Sequence, residues 1–190
     1  MNHDSTADGP LLRILAAASA AFAEMGFAGA RVDEIAARAG VNKAMLYYYV
    51  GGKQTLYTAV LMRNFDHVQR AVDAALEVQG TARQRLEAVI SALTRVVRQH
   101  PDHPRIVLRE IASGGVNLPP EALARMLEVV DVVRRLLEEG TADGEFRPLD
   151  PVLTHLTLVG AVVFLNATTP LRERAAQLAP DIPMPEPTAD

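Results

Sequence analysis

The sequence predicts an all-α protein, and three observations carry that expectation. Apolar residues make up 49% of the 190 residues, and they recur at helical spacing, with no convincing period-two alternation to mark a strand. Glycine and proline collect at a few places, where they read as stops between helices. Alanine and leucine, both strong helix formers, are abundant along the whole chain.

The first helix is expected from about Pro10 to Met25, with Leu11, Leu15, Ala18 and Phe22 on one stripe and Gly26 as its stop. A short second helix starts at Val32, turns Val32, Ile35, Ala36 and Ala39 inward, and is broken by Gly40. Asn42 is a good cap for a third helix that runs to Val50. The pair Gly51 and Gly52 ends it, and a long fourth helix follows from Lys53 to about Val78. The fifth spans about Ala82 to Gln99 and is closed by HPDHP; the sixth spans about Arg105 to Ala112. After SGGVNLPP, Pro119 or Pro120 opens a seventh helix to about Gly140. TADGEFRPLDP reads as a turn, an eighth helix covers about Asp150 to Ala167, and Pro170 admits a short last one to about Leu178. Residues 1–9 are expected to be a disordered arm, and residues 180–190, rich in proline, a disordered tail.

Composition excludes several classes of chemistry. The chain has no cysteine, which removes disulfides, thiolate metal sites and cysteine nucleophiles. Its start is polar and acidic, without the positive region and apolar stretch of an export signal, so a cytoplasmic location is expected. The longest strongly apolar run, Leu156 to Leu165, falls short of the roughly 20 residues that a membrane-spanning helix needs, and no membrane partner is expected. The net charge of −4 argues against nucleic acid, but its distribution argues the other way: Arg38, Lys43 and Lys53 follow one another with no acidic residue between them.

The segment from Val32 to Val50 is the most informative. Two helices that cross steeply after a tight turn need a small residue where they touch, a glycine at the turn and a large apolar residue to lock them. Ala36, Gly40 and Leu46 fill those roles, with Ile35, Ala39, Val41, Val50, Phe22 and Phe27 supplying the rest of a small core. Residues four apart share a helical stripe, so Leu46 pairs with Val50 inward, while Lys43 with Tyr47 and Ala44 with Tyr48 form adjacent outer stripes, flanked by Tyr49. An exposed face of lysine, a small residue and aromatic hydroxyls suits a DNA major groove: lysine reaches guanine, alanine and ring edges meet thymine methyls, and tyrosine hydroxyls bond phosphate.

At these residues the chain resembles a known family. From Leu11 to Leu61, and above all in FAEMGFAGARVDEIAARAGVNKAMLYYYVGGKQTLYTAVL, it is similar to the N-terminal DNA-binding domain of the TetR family of transcriptional regulators. The resemblance implies a helix-turn-helix DNA-binding domain at 10–52 and a helical effector-binding and dimerisation domain at 53–179. Lys43, Ala44, Tyr47 and Tyr48 would then face the groove, Tyr49 and Lys53 would hold phosphates, and Asn42 and Met45 would be lesser contacts. Two positions depart from the family: Arg31 and Val32 stand where a Thr or Ser is common at the second helix, so that Arg31 substitutes by charge, and Gly52 stands where a Ser or Asn cap is frequent. The family's arrangement also implies a homodimer on a palindromic operator, with the two recognition helices roughly 34 to 36 Å apart.

The eighth helix is too apolar for a solvated surface, and its natural use is the subunit contact. Leu156, Val159, Gly160 and Val163 are the candidate interface residues, with Gly160 and Ala161 permitting close approach. For a small effector, Phe65, Met126 and Phe164 are candidate apolar lining and His103 and Arg109 candidate polar groups. A mostly apolar molecule is expected, an acid if Arg109 points inward. His100, Asp102 and His103 sit in a proline turn without further ligands nearby, and no metal site is expected. No nucleophile, base and orienting group can be assembled and no phosphate loop is present, so neither an enzyme nor a cofactor is expected. The leading expectation is a repressor released by its effector; an activator, an effector-independent regulator, or a helical ligand-binding or adaptor protein stands as the alternative.

Overall fold

The structure is a computed structural model that describes residues 9–183. Among these residues it holds nine helices and no strand: α1 (Pro10–Gly29), α2 (Val32–Arg38), α3 (Lys43–Val50), α4 (Lys53–Leu76), α5 (Ala82–Gln99), α6 (Asp102–Ala112), α7 (Pro120–Ala142), α8 (Pro151–Ala167) and α9 (Thr169–Leu178). The expected arm lies outside the described residues apart from Gly9, and of the expected tail only residues 180–183 are described.

Two glycines set the geometry of the N-terminal part. Gly26, at φ 71°, breaks α1 where the apolar stripe ends, in the left-handed region that a residue with a Cβ enters at a cost. Gly40, at φ 66°, closes α2. The Val41 N–H donates to the Ala36 carbonyl at 3.0 Å and the Gly40 N–H to the Ala37 carbonyl at 3.1 Å. This pair of bonds is a Schellman close; it satisfies the last carbonyls of α2 and turns the chain steeply into α3.

Several boundaries differ from expectation: α1 continues past Gly26 to Gly29 and α7 runs on to Ala142. α6 starts at Asp102, three residues before the expected Arg105. Pro104 falls in its first turn, where the missing N–H would have had no intrahelical partner, so proline ends nothing there.

Side chains pack into two cores. The first gathers Ile14, Ala18, Ala21 and Phe22 of α1, Ile35 and Ala36 of α2, Leu46 and Val50 of α3, and Leu56, Tyr57, Val60, Leu61 and Phe65 of α4, with Ile106 of α6 and Ala122 of α7. The second gathers Val68, Val72 and Ala75 of α4 with α5, α7 and Val162 of α8. α4 thus carries one half of its length in each core. Among the described residues α1 is the one single helix long and apolar enough to cross a membrane, and α8 with α9 pass the same test only if taken as one span across a 62° bend; the α1 stripe packs inside the first core, and Gly26 interrupts it.

The C-terminal end of α6 is sewn to the N-terminal helices. The Arg109 guanidinium donates to the carbonyls of Ala23 at 3.0 Å and Glu24 at 2.6 Å. Glu110 is buried and accepts from the Tyr57 hydroxyl at 2.6 Å, from the Asn117 backbone at 3.3 Å and from its side chain at 3.2 Å. A buried carboxylate is tolerated because these donors replace water. At the far end of the molecule, Phe146 folds onto Gly140 of α7 so closely that any Cβ there would collide with the ring.

α8 is packed differently from α1 to α7. Val162 is its one buried side chain, whereas Val152, Leu153, Leu156 and Phe164 are exposed. A helix of seventeen residues, mostly hydrocarbon, therefore packs one face against α5, α6 and α7 and leaves the other open.

Candidate nucleic-acid interface

α3 divides as its periodicity demands. Leu46 and Val50 are buried in the first core, while Lys43, Ala44, Met45, Tyr47, Tyr48 and Tyr49 are all exposed. Tyr48 is 85% exposed and its ring meets the Tyr49 ring edge-on at 5.5 Å. Ala44 stands beside it on the neighbouring position of the same outer face.

The polar side chains around α3 are not equivalent. Asn42 caps the helix, its side-chain oxygen accepting from the Met45 N–H at 2.8 Å, so its first role is to start the helix. The Lys43 ammonium lies 2.8 Å from the Asp33 carboxylate of α2, and that carboxylate holds it above its ordinary pKa. Arg31, exposed at the start of α2, opposes the same shift by its positive charge. Lys53 bonds the Ala28 carbonyl at 3.2 Å and sits 4.8 Å above the Phe27 ring. Gly52 offers no side-chain cap to α4, which leaves the first N–H groups of that helix for an anion such as a DNA phosphate. Cations and free amides thus border a face of aromatic hydroxyls, the arrangement that a groove with its two phosphate rims requires.

A second feature lies away from α3, where the two cores meet. A cavity of about 80 Å³ is lined by Phe65, Val68, Leu93, Val97, His103, Val107, Met126, Val129, His155, Val159, Val162 and Val163. Phe65, His103 and Met126, expected as effector lining, meet there. Arg109 does not: it is spent on the α1 carbonyls, because the α6 face that carries it turns towards the N-terminal core. Phe164 is 60% exposed on the outer side of α8. The candidate interface residues also separate, with Leu156 and Gly160 outward and Val159 and Val163 on the cavity wall.

Burial pushes the His103 imidazole down to about 4, with smaller contributions from His100 and His67. His155 is also held below its usual value by burial. Both line the cavity as neutral rings at neutral pH, and the Nδ1 of each lacks a hydrogen-bond partner. Among the described residues no three metal-ligating side chains converge: His103 faces the cavity, whereas His100 stacks on His67 at 4.1 Å.

Sequence reasoning missed four residues. His155 was legible, since it shares a stripe with Val159 and Val162 or Val163. Asp33 and the Tyr57–Glu110 pair were not, because their partners come together only through the fold.

The comparisons agree with this geometry. Residues 14–60 match the family model described as bacterial regulatory proteins, tetR family, and residues 79–166 match the tetracyclin repressor-like C-terminal domain. The transcriptional repressor NicS of Pseudomonas putida is 32% identical over 149 residues, which are 77% of this chain and 69% of NicS. The transcriptional regulator RutR of Escherichia coli is 30% identical over 138 residues, 73% of this chain and 65% of RutR. Among solved structures, FadR from Bacillus subtilis in complex with stearoyl-CoA shares the fold at a TM-score of 0.65 and 21% identity, covering 86% of this chain and 88% of that one. These families and relatives are regulators of transcription and not enzymes. With a helix-turn-helix at its N-terminal end and both halves matched, the chain is a DNA-binding transcriptional regulator and belongs to the TetR family.

Proposed function

We propose that the protein is a homodimeric repressor that binds a palindromic operator in the cytoplasm and is released from it by a small, mostly apolar and uncharged effector. The observation that carries this reading is the position of α8, one side of which walls the cavity while the other is an open apolar surface. The open side favours a second copy: two such helices bury hydrocarbon against each other, and two-fold symmetry repeats the α3 face along the duplex. In this reading residues 10–52 form the DNA-reading unit, residues 53–179 form the effector and dimer unit, and Lys43, Ala44, Tyr47 and Tyr48 read the groove.

The effector's chemistry follows from the cavity wall. No lysine or arginine lines it, so a buried carboxylate would have no cation to offset its desolvation. Two neutral imidazoles favour instead a ligand with one uncharged polar group among apolar surface. FadR of Bacillus subtilis was solved with stearoyl-CoA, which makes acyl thioesters one further class to include. NicS is named a repressor, which favours repression over activation.

Selection of duplexes from a random library tests DNA binding and symmetry together: the expected product is one palindrome with half-sites a helical turn apart. Recovery of an asymmetric site, or of none, overturns the operator reading. Screening phenols, uncharged aromatics, carboxylic acids and acyl thioesters against the selected complex then tests the effector, and release by uncharged compounds is the expected result. Release by highly polar metabolites alone would make the cavity simple core.

A further inference from the structure

A second cavity, more polar than the first and about 190 Å³ in volume, opens at the seam between α1, α4 and the α5–α6 turn. Ser19 of α1, Arg63, Asn64 and His67 of α4, and His100 and Asp102 from the turn line it. None of these has a part in DNA contact or in the apolar cavity.

The wall carries one buried donor without a partner and further donors beside it. Asn64 is 8% exposed, and its side-chain Nδ2 has no hydrogen-bond partner, a costly state for an amide removed from water. Arg63 takes part in none of the ion pairs among the described residues. Arg70 approaches Nδ1 of His67 at 2.9 Å; a guanidinium only donates, so Nδ1 accepts and the ring proton sits on Nε2 as a further donor. Burial first, then His100, Arg70 and Arg63, hold the His67 imidazole below its ordinary pKa, as expected where positive charge is already in excess. Asp102 supplies the opposing carboxylate on the wall.

The same geometry disfavours a metal. The His67 and His100 rings lie face to face, 4.1 Å apart and inclined by 23°. Lone pairs lie in the ring planes, so in this stack they run side by side and do not meet at one ion.

We propose that this cleft binds a small oxyanion, a carboxylate or a phosphate group, through Arg63, the Asn64 amide and His67 Nε2–H, with the Ser19 hydroxyl reaching it from α1. A bound oxyanion touches α1 on one side and α4 with the α5–α6 turn on the other, and so ties the DNA-reading helices to the rest of the chain. The site stands independently of the identity of any effector in the apolar cavity.

The test is NMR of the imidazole resonances of the full chain, titrated at neutral pH and constant ionic strength with sodium acetate and, separately, sodium phosphate. The His67 and His100 signals are expected to shift saturably, with an apparent Kd of about a millimolar, while His155 stays still; the arm with the lower Kd identifies the preferred anion. Arg63→Gln, at a half-buried position, is expected to weaken binding about tenfold with an unchanged melting temperature, and Ser19→Ala to weaken it less. Shifts that never saturate, that chloride reproduces, or that persist unchanged in Arg63→Gln overturn the proposal. Saturation by Zn²⁺ and by neither anion overturns it as well, in favour of a metal site.

Discussion

α3 and α8 both expose large side chains, but the two exposures differ in kind. α3 anchors one stripe, Leu46 and Val50, fully in the core and presents tyrosines and a lysine outward. α8 buries Val162 alone and presents valine, leucine and phenylalanine. An aromatic ring with a hydroxyl can rest on a wet, charged surface, since the hydroxyl keeps a partner there. A leucine gains only where water is excluded. The difference teaches that exposed surface has to be sorted by what its tips can bond, and under the proposed function α3 meets a polyanion and α8 a second protein chain.

The largest effect is expected from breaking the α8 side. Nothing lies within 4 Å of the place where a Cβ at Gly160 would stand, so Gly160→Arg fits the single chain and adds helix propensity. Sedimentation should then show monomers, and affinity for a palindromic operator should fall about a hundredfold or more through lost bivalency. A soluble dimer with operator affinity intact would place the interface elsewhere.

On the α3 side the expected losses are smaller and more selective. Lys43→Ala should cost about 1 to 3 kcal/mol on the selected operator and relax preference at one base pair per half-site. Equal weakening on every sequence, measured by competition with mismatched duplexes, would reduce Lys43 to a backbone contact. Asp33→Ala, which frees Lys43 from its exposed ion pair at 2.8 Å, should strengthen binding to unrelated DNA slightly, measured by competition with nonspecific duplexes.

A pH prediction separates the cavity from both faces. The unfolded His103 imidazole titrates near 6.5 and the folded one near about 4. Between these values the unfolded chain holds a proton that the folded chain lacks, so stability is present above the window and is lost as pH falls through it. Denaturant midpoints at pH 7 and pH 5 should show this loss of about 1 kcal/mol or more, and His103→Leu should reduce it. An unchanged pH dependence in the variant would assign the acid sensitivity to other groups.

The smallest effect is expected at Lys53. Its ammonium already rests on Phe27 and the Ala28 carbonyl, so Lys53→Ala should weaken binding to all duplexes alike and lower the salt slope by about 1. A change in base preference would show that it reaches a groove edge.

Much of the fold was legible because it is written in local chemistry. Gly26 and Gly40 stop helices by needing a positive φ, and Asn42 starts one with its own side chain; each signal lies within a few residues of its effect. The α3 face was legible for the same reason, since stripe membership depends on spacing alone. The start of α6 was misjudged because a proline was weighed without its place in the turn. Arg109 and Phe164 were misassigned to the cavity because helical spacing says which residues share a face and not which neighbour that face will meet. Arg109 found its partners in Ala23 and Glu24, far away in sequence, and only the packing of α6 across α1 decides that.

The one-sided packing of α8 has a consequence for how such a regulator behaves in a cell. Because the helix that walls the cavity is also the one left to a second copy under the proposed assembly, filling the cavity and pairing of chains draw on the same element. By linkage, whatever the ligand does to pairing, pairing does to the ligand. The dose of effector needed for induction would therefore depend on the copy number of the regulator itself, and a promoter that controls its own repressor's synthesis would adjust its sensitivity as it fired.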